Sequence, residues 1–155
     1  MYDFPDFHLT YWLDAIALEY RRRGFNVKYQ PFVYGADFRP ILNTASLQAT
    51  TTIDSDADFI WCQSTYVAFT TGGANQIAPD MLVQHTAVSS QRDLENGQVH
   101  VLNVYGTGER PFLWAKPLVV AAKSAITVSL TNNAGADLNV SLSWIGVKAY
   151  ITRLK

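Results

Sequence analysis

The sequence predicts a single all-β domain, a sandwich or barrel of about eight strands with one amphipathic helix at its N-terminal end. Three observations carry that reading. After Phe25 the apolar residues recur at period two, with β-branched and aromatic residues set between short turn signals. Before Gly24 they recur at spacings of three and four instead. A chain of 155 residues is also long enough to bury one core without disulfides or a metal.

In the N-terminal segment Leu9, Trp12, Leu13, Ile16, Ala17 and Tyr20 form the stripe of a helix that buries one face. Gly24 sits where a C-terminal cap belongs, and Arg21, Arg22 and Arg23 fall in the last turn, where cations complement the helix dipole. Thr10 or Asp6 is the expected N-cap. The expected organisation is a helix or arm over residues 1–24 and a β-sandwich over 25–155. The helix is either a lid over one end of the sandwich or an arm that packs on a neighbouring subunit.

The expected strands run from Val27 to Tyr34, Ala45 to Ile53, Asp58 to Phe69, Met81 to Val88, Gln98 to Val104, Ala125 to Thr131 and Leu138 to Ile151, with a shorter extended piece from Pro117 to Ala121. Alternation is clearest at Ile126, Val128 and Leu130, and at Leu138, Val140, Leu142 and Trp144, which should line the core. Beyond Trp144 the apolar residues change phase to Ile145, Val147, Ala149 and Ile151, with Gly146 at the changeover. That predicts a bulge or a second buried face. Asn132 to Asp137 reads as a hairpin loop between the last two strands.

Charged residues make up only 16% of the chain, against roughly 25% in average domains, while 48% are hydrophobic and 13% aromatic. Surface so poor in charge and rich in aromatics suits coverage by partner chains. The net charge is −1 and Arg21, Arg22 and Arg23 are the one basic cluster, so no nucleic-acid footprint is present. Cys62 is a lone cysteine, which fits folding in a reducing cytosol. No apolar stretch has the length of a membrane span and no cationic leader precedes an apolar run, so a soluble chain without a signal peptide is expected.

Asp54, Asp56 and Asp58 are spaced like the first ligands of a calcium loop, but Phe59 stands where that loop needs glycine and Thr65 where it needs glutamate. An acidic turn is the expectation, with a weak cation site as its alternative. Gly106, Thr107 and Gly108 lead into Pro111 and extended chain rather than a helix, so they read as a tight loop and not a phosphate cradle. His8, His85 and His100 have no metal-ligand spacing, no serine sits in a nucleophile elbow, and Cys62 lies mid-strand. No catalytic residue, metal or cofactor is expected. Tyr105, Phe112 and Trp114, with Tyr66 and Phe69, are either core and interface anchors or an aromatic platform for sugars.

The run Pro31, Phe32, Val33, Tyr34 to Asp37 and Phe38, then Ile53 through Phe59, Gly106 through Phe112, Leu130 to Asn132, and Trp144 through Lys148, resembles small virion proteins of tailed bacteriophages. The resemblance spans roughly residues 30–150, lies in order and spacing, and points to head-associated proteins of the cement or decoration type. It implies a jelly-roll-like β-sandwich on the capsid exterior, a homodimer or homotrimer that bridges copies of the major capsid protein and touches other virion proteins. It implies localisation to the capsid surface after synthesis in the host cytoplasm, and it brings no catalytic residues. A neck, tail or head-fibre component and a carbohydrate-binding sandwich used in adsorption are the alternatives. The expected partner interface comprises Trp12, Ile16, Tyr20, Arg21, Arg22 and Arg23 on the helix, and Tyr105, Phe112 and Trp114 by the glycine turn.

Overall fold

A computed structural model describes residues 5–86 and 93–155. One helix, α1 (Pro5–Arg22), precedes eight strands: β1 (Phe25–Ile41), β2 (Ser46–Thr52), β3 (Asp58–Thr70), β4 (Met81–Thr86), β5 (Val99–His100), β6 (Phe112–Val120), β7 (Ala125–Asn132) and β8 (Leu138–Arg153). The first sheet has the order β1-β8-β3-β6 and the second β2-β7-β4-β5. First pairs with eighth, second with seventh, third with sixth and fourth with fifth, all antiparallel. Nested pairing of this kind, wrapped so that the pairs share two facing sheets, is a jelly roll. The expected fold class is therefore observed.

Between the sheets lies the core, built from the alternating inward residues of both. Ile126, Val128 and Leu130 of β7 face Leu138, Val140, Leu142 and Trp144 of β8, with Phe59, Trp61 and Tyr66 of β3 beside them. Six to twelve neighbours is typical for such fully buried side chains, so each is held on all sides.

Several expected elements are placed differently. The chain between β7 and β8 has the turn chemistry expected, with Gly135 at φ +80°, but it is not a hairpin, because the two strands lie in different sheets. Asn132 makes the crossing: its buried amide donates to the Ile41 and Ala136 carbonyls, and its side-chain oxygen accepts from Ala134 N–H. The segment expected as a strand over 98–104 pairs only at Val99 and His100, then turns through a 3₁₀ helix (Val101–Asn103). His100 drives the turn, since its Nδ1 accepts the Leu102 N–H. Strand β4 is observed to Thr86, and residues 87 and 88 of the expected strand lie outside the described residues. Helix α1 is already helical at Pro5, so Thr10 and Asp6 both lie within the helix and neither is its N-cap. Gly24 does end it, at φ +84°.

The phase change in β8 has a different cause from the one expected. Register with β1 runs without a break from Arg153 to Asp37, so β8 carries no bulge at Gly146. The bulge is in β3, at Cys62, between the paired positions Trp61 and Gln63. What changes sides is the cover. Strands β1 and β8 are at least twice as long as those of the second sheet, and their overhanging part receives α1 on the opposite face. There Val147 and Ala149 of β8, Ile60 and Cys62 of β3, and Val27 and Tyr29 of β1 meet Leu9, Leu13 and Ile16 of α1. Each half-buried helix side chain contributes on the order of 1 kcal/mol to that docking. Tyr29 Oη fixes it further by donating to the Leu13 carbonyl at 2.8 Å.

Candidate functional site

Helix α1 positions the first group of expected interface residues, and most of its apolar stripe is taken up by its own sheet. Ile16 packs on the small cluster under α1, and Tyr20 Oη donates to Asp58 Oδ2 at 3.2 Å. Trp12 is half-buried, with the Lys116 ammonium 5.8 Å from its ring centre. A cleft of about 240 Å³ opens between α1 and β6, lined by Ile16, Tyr20, Arg23, Lys116 and Val119 among others. Arg21, Arg22 and Arg23 are exposed, and Arg23 pairs with Glu19 one turn back at 2.8 Å. The helix thus leaves a basic end in solvent.

The second group divides. Phe112 and Trp114 are half-buried and pack edge to face at 5.2 Å, and Trp114 meets Trp61 in the same way at 5.3 Å. Trp114 Nε1 is buried and has no hydrogen-bond partner among the described residues. Tyr105 is 1% exposed and lies inside the sandwich, so it is a core residue and not a surface anchor. The glycine turn is the tight loop expected: Gly106 continues the edge of β3, exchanging backbone hydrogen bonds with Ser64 and Tyr66. A Cβ at Gly106 would run into the backbone of Arg110 to Phe112, and this close approach is why glycine stands there.

Tyr105 belongs to a polar chain that the sequence reading did not assemble. Trp144 Nε1–H is a donor only and lies 2.7 Å from Tyr105 Oη, so the phenol accepts it. The phenol proton is then directed to His85 Nε2 at 2.6 Å, which leaves Nδ1–H to donate to Glu95 Oε1 at 2.9 Å. Glu95 Oε2 accepts the backbone N–H of His85 as well. Hydroxyl, imidazole and carboxylate in a row have the connectivity of an activated nucleophile. The physics is the reverse: burial raises the Tyr105 hydroxyl pKa well above its usual value, and His85 and Tyr105 are both sealed from solvent. The chain satisfies polar groups in the core. The lone thiol, Cys62, is buried with its pKa pushed up to about 12 by desolvation.

Two of the three aspartates, Asp54 and Asp56, do gather around a cation, and it is one the protein supplies. Lys148 points inward from β8 where the second sheet ends, and its ammonium lies 2.7 Å from Asp54 Oδ2 and 3.1 Å from Asp56 Oδ1. Its side chain is only 6% exposed and stands 4.2 Å from the Phe32 ring centre. Tyr34 and Tyr150 donate to the same carboxylates at 3.0 Å each. Asp58 turns away to accept from Tyr20 and from Ala122 N–H. Hydrogen bonds from Lys148 hold the Asp54 and Asp56 pKa values below the ordinary range, and Asp54 in turn raises that of Lys148. The turn is ion-paired, as the spacing alone could not say, because the partner is 92 to 94 residues away in sequence. Among the described residues no group of His, Cys, Asp and Glu is arranged to hold a metal ion.

A pH dependence follows from those directions. Depressed carboxylate values give stability that is present above the unfolded value, near 3.9, and lost as pH falls through the folded values. The melting temperature of the wild type should therefore drop more between about pH 5 and about pH 2 than that of Lys148→Met, measured by circular dichroism. Equal acid slopes would show that the pairs contribute nothing.

Exposed apolar side chains are concentrated on the outer face of the first sheet, next to α1. Cross-strand register aligns Val33 of β1 with Ile145 of β8, Ile145 with Gln63 of β3, and Gln63 with Leu113 of β6, one row across all four strands. Val33 is 55% and Leu113 46% exposed, and Val67 and Phe69 continue the surface along β3. The second sheet is different in kind: no Asp, Glu, Lys or Arg occurs in β2, β4, β5 or β7. Its outer face is built from side chains such as Ser46, Gln48, Thr50, Thr127 and Thr131, with Ser46 bonded to Thr131 and Thr50 to Thr127 across the strands.

Comparison with protein-family profiles and with curated proteins finds no match. Among solved structures the chain is similar to a chain of the cyanophage Pam1 capsid asymmetric unit, at 18% identity and TM-score 0.42, over 81% of this chain and 86% of that one. It is also similar to the decameric BFDV capsid protein, at 12% identity and TM-score 0.33, over 80% of this chain and 99% of that one. A third is the infectious bursal disease virus VP2 subviral particle, at 13% identity and TM-score 0.27, where the match covers 79% of this chain and 40% of that one.

Proposed function

We propose that this chain is a virion structural protein of a tailed bacteriophage, a cement or decoration protein that binds the head exterior and bridges neighbouring copies of the major capsid protein. The observation that carries the reading is the row Val33, Ile145, Gln63 and Leu113 across the outer face of the first sheet, apolar at every position but Gln63 and exposed at Val33 and Leu113. Exposed apolar side chains gathered on one face mark a docking face, and Val33, Leu113, Val67 and Phe69 sit here on strands paired across a whole sheet. The jelly-roll order supports the same reading, since viral shells use that architecture repeatedly, alongside lectins and cupins. Against a lectin platform stand the aromatic rings near the glycine turn, which pack on one another or lie in the core.

Function then consists of burying surface against a lattice. Each contact is weak, and many copies on one shell add by multivalency. The exposed arginines at the end of α1 supply a positive rim, and the apolar row supplies the centre, the usual division of labour in an interface.

Heads lacking the protein should release their genome at a higher temperature once the purified chain is added back. The variant carrying Val33→Lys and Leu113→Lys, both at exposed positions, should fold normally and give no protection. Protection by that variant equal to the wild type would refute the docking face, and a neck, tail or fibre position would follow from binding there with no effect on the heads.

A further inference from the structure

Sheet edges are places where chains join, and the four edges of this sandwich are not alike. Edge strand β1 carries Pro31 and Pro40 with Lys28, Asp37 and Arg39, and β6 carries Pro117 and Lys116. Proline and charge are the usual devices that keep an edge from pairing. Strand β5 is two residues long. Strand β2, Ser-Leu-Gln-Ala-Thr-Thr-Thr, has neither proline nor glycine nor charge, and it is the remaining edge.

Its free hydrogen-bonding groups can be assigned. Asn132 N–H donates to the Ala45 carbonyl and Ile53 N–H to the Ser124 carbonyl, on either side of β2, so odd-numbered residues direct their backbone groups to β7. Ser46, Gln48, Thr50 and Thr52 therefore direct theirs outward, and all four are exposed.

We propose that β2 is the edge along which a second copy of this chain pairs, antiparallel about a twofold axis, joining two four-stranded sheets into one. The fit is specific. With Ala49 on the axis, Ser46 of one copy lies opposite Thr52 of the other and Gln48 opposite Thr50, so every outward donor meets an outward acceptor. A twofold axis also brings each residue near its own image, where any charge repels itself. Here no strand of the sheet bears a charge. The inference goes beyond the proposed function and does not depend on it, since the pair forms in the free protein.

Sedimentation velocity and multi-angle light scattering on the purified full chain test it. The wild type should be a dimer. Gln48→Pro removes an outward donor and leaves the bonds to β7 in place, so it should melt as the wild type does and sediment as a monomer. Thr50→Lys should weaken the dimer, and adding Gln48→Glu should restore it, because the two substituted positions face each other across the axis. A monomeric wild type, a dimer unaffected by Gln48→Pro, or a double variant as weak as Thr50→Lys would overturn the proposal. None of these outcomes bears on capsid binding, which is read in the separate assay on heads.

Discussion

Replacing His85 with leucine should cost about 3–5 kcal/mol, the largest single loss expected in this protein. The imidazole links a carboxylate and a phenol that are both buried. Among the described residues, leucine leaves Glu95 with its backbone contact to residue 85 alone, and it leaves the Tyr105 proton without an acceptor. For a domain of this size the loss corresponds to a melting point lower by roughly 10 °C or more. The companion variant that also carries Glu95→Leu should recover part of it, because an uncompensated buried carboxylate is the dominant cost. Thermal and urea denaturation of both variants give the comparison. If the single and double variants were equally unstable, the loss would come from packing and not from the stranded charge.

Gly146→Ala should destabilise by about 3 kcal/mol, although it adds a single methyl group. A Cβ at that position would overlap the carbonyl oxygen of Ile60 and press on the Phe59 ring. The obstacle is backbone in a neighbouring paired strand, so relief requires β3 and β8 to separate at the middle of the first sheet. Gly97→Ala is the matched control, since a Cβ there meets nothing. Its melting point should stay within a degree or two of the wild type, on the order of the usual effect of surface substitutions. Equal effects of the two substitutions would mean that the β3 bulge absorbs the methyl group.

The class of the fold was legible because period-two alternation is a local signal, strongest where one face is buried and the other solvated. Strands β7 and the first half of β8 show it plainly, and both were found where alternation placed them. Features that depend on which sheet a strand joins were not legible. Asn132 to Asp137 has every mark of a hairpin, yet the chain crosses between sheets there, and the decisive contact is from Asn132 to Ile41 at the far end of β1. In β8 the same cause acted twice. Apolar residues appeared to change phase because α1 covers the opposite face beyond Trp144, and Lys148 fell on the inward side next to the acidic turn. A lysine alternating with Gly146 and Tyr150 on one face, opposite Val147 and Ala149, was the one available sign that the inner face had become polar.

The expected interface residues show the same division between local and long-range information. The arginines at the end of α1 fall in its last turn and just beyond it, where the spacing put them, and they are exposed. Tyr105 was drawn into the core by a histidine twenty residues earlier and a tryptophan thirty-nine residues later, partners that no spacing rule connects. The row Val33, Ile145, Gln63 and Leu113, exposed at its two ends, was missed because it exists only through cross-strand register. Each member alone reads as an ordinary strand residue.

Binding to the shell is the claim from which the proposed function stands or falls, and co-sedimentation tests it directly. Purified protein is titrated onto phage heads that lack it, and the bound fraction is read from the pelleted heads. A docking protein predicts saturation at a fixed number of copies per head, with the Val33→Lys and Leu113→Lys variant left in the supernatant. Protein that stays in the supernatant at every ratio, or that accumulates on heads without saturating, would contradict it.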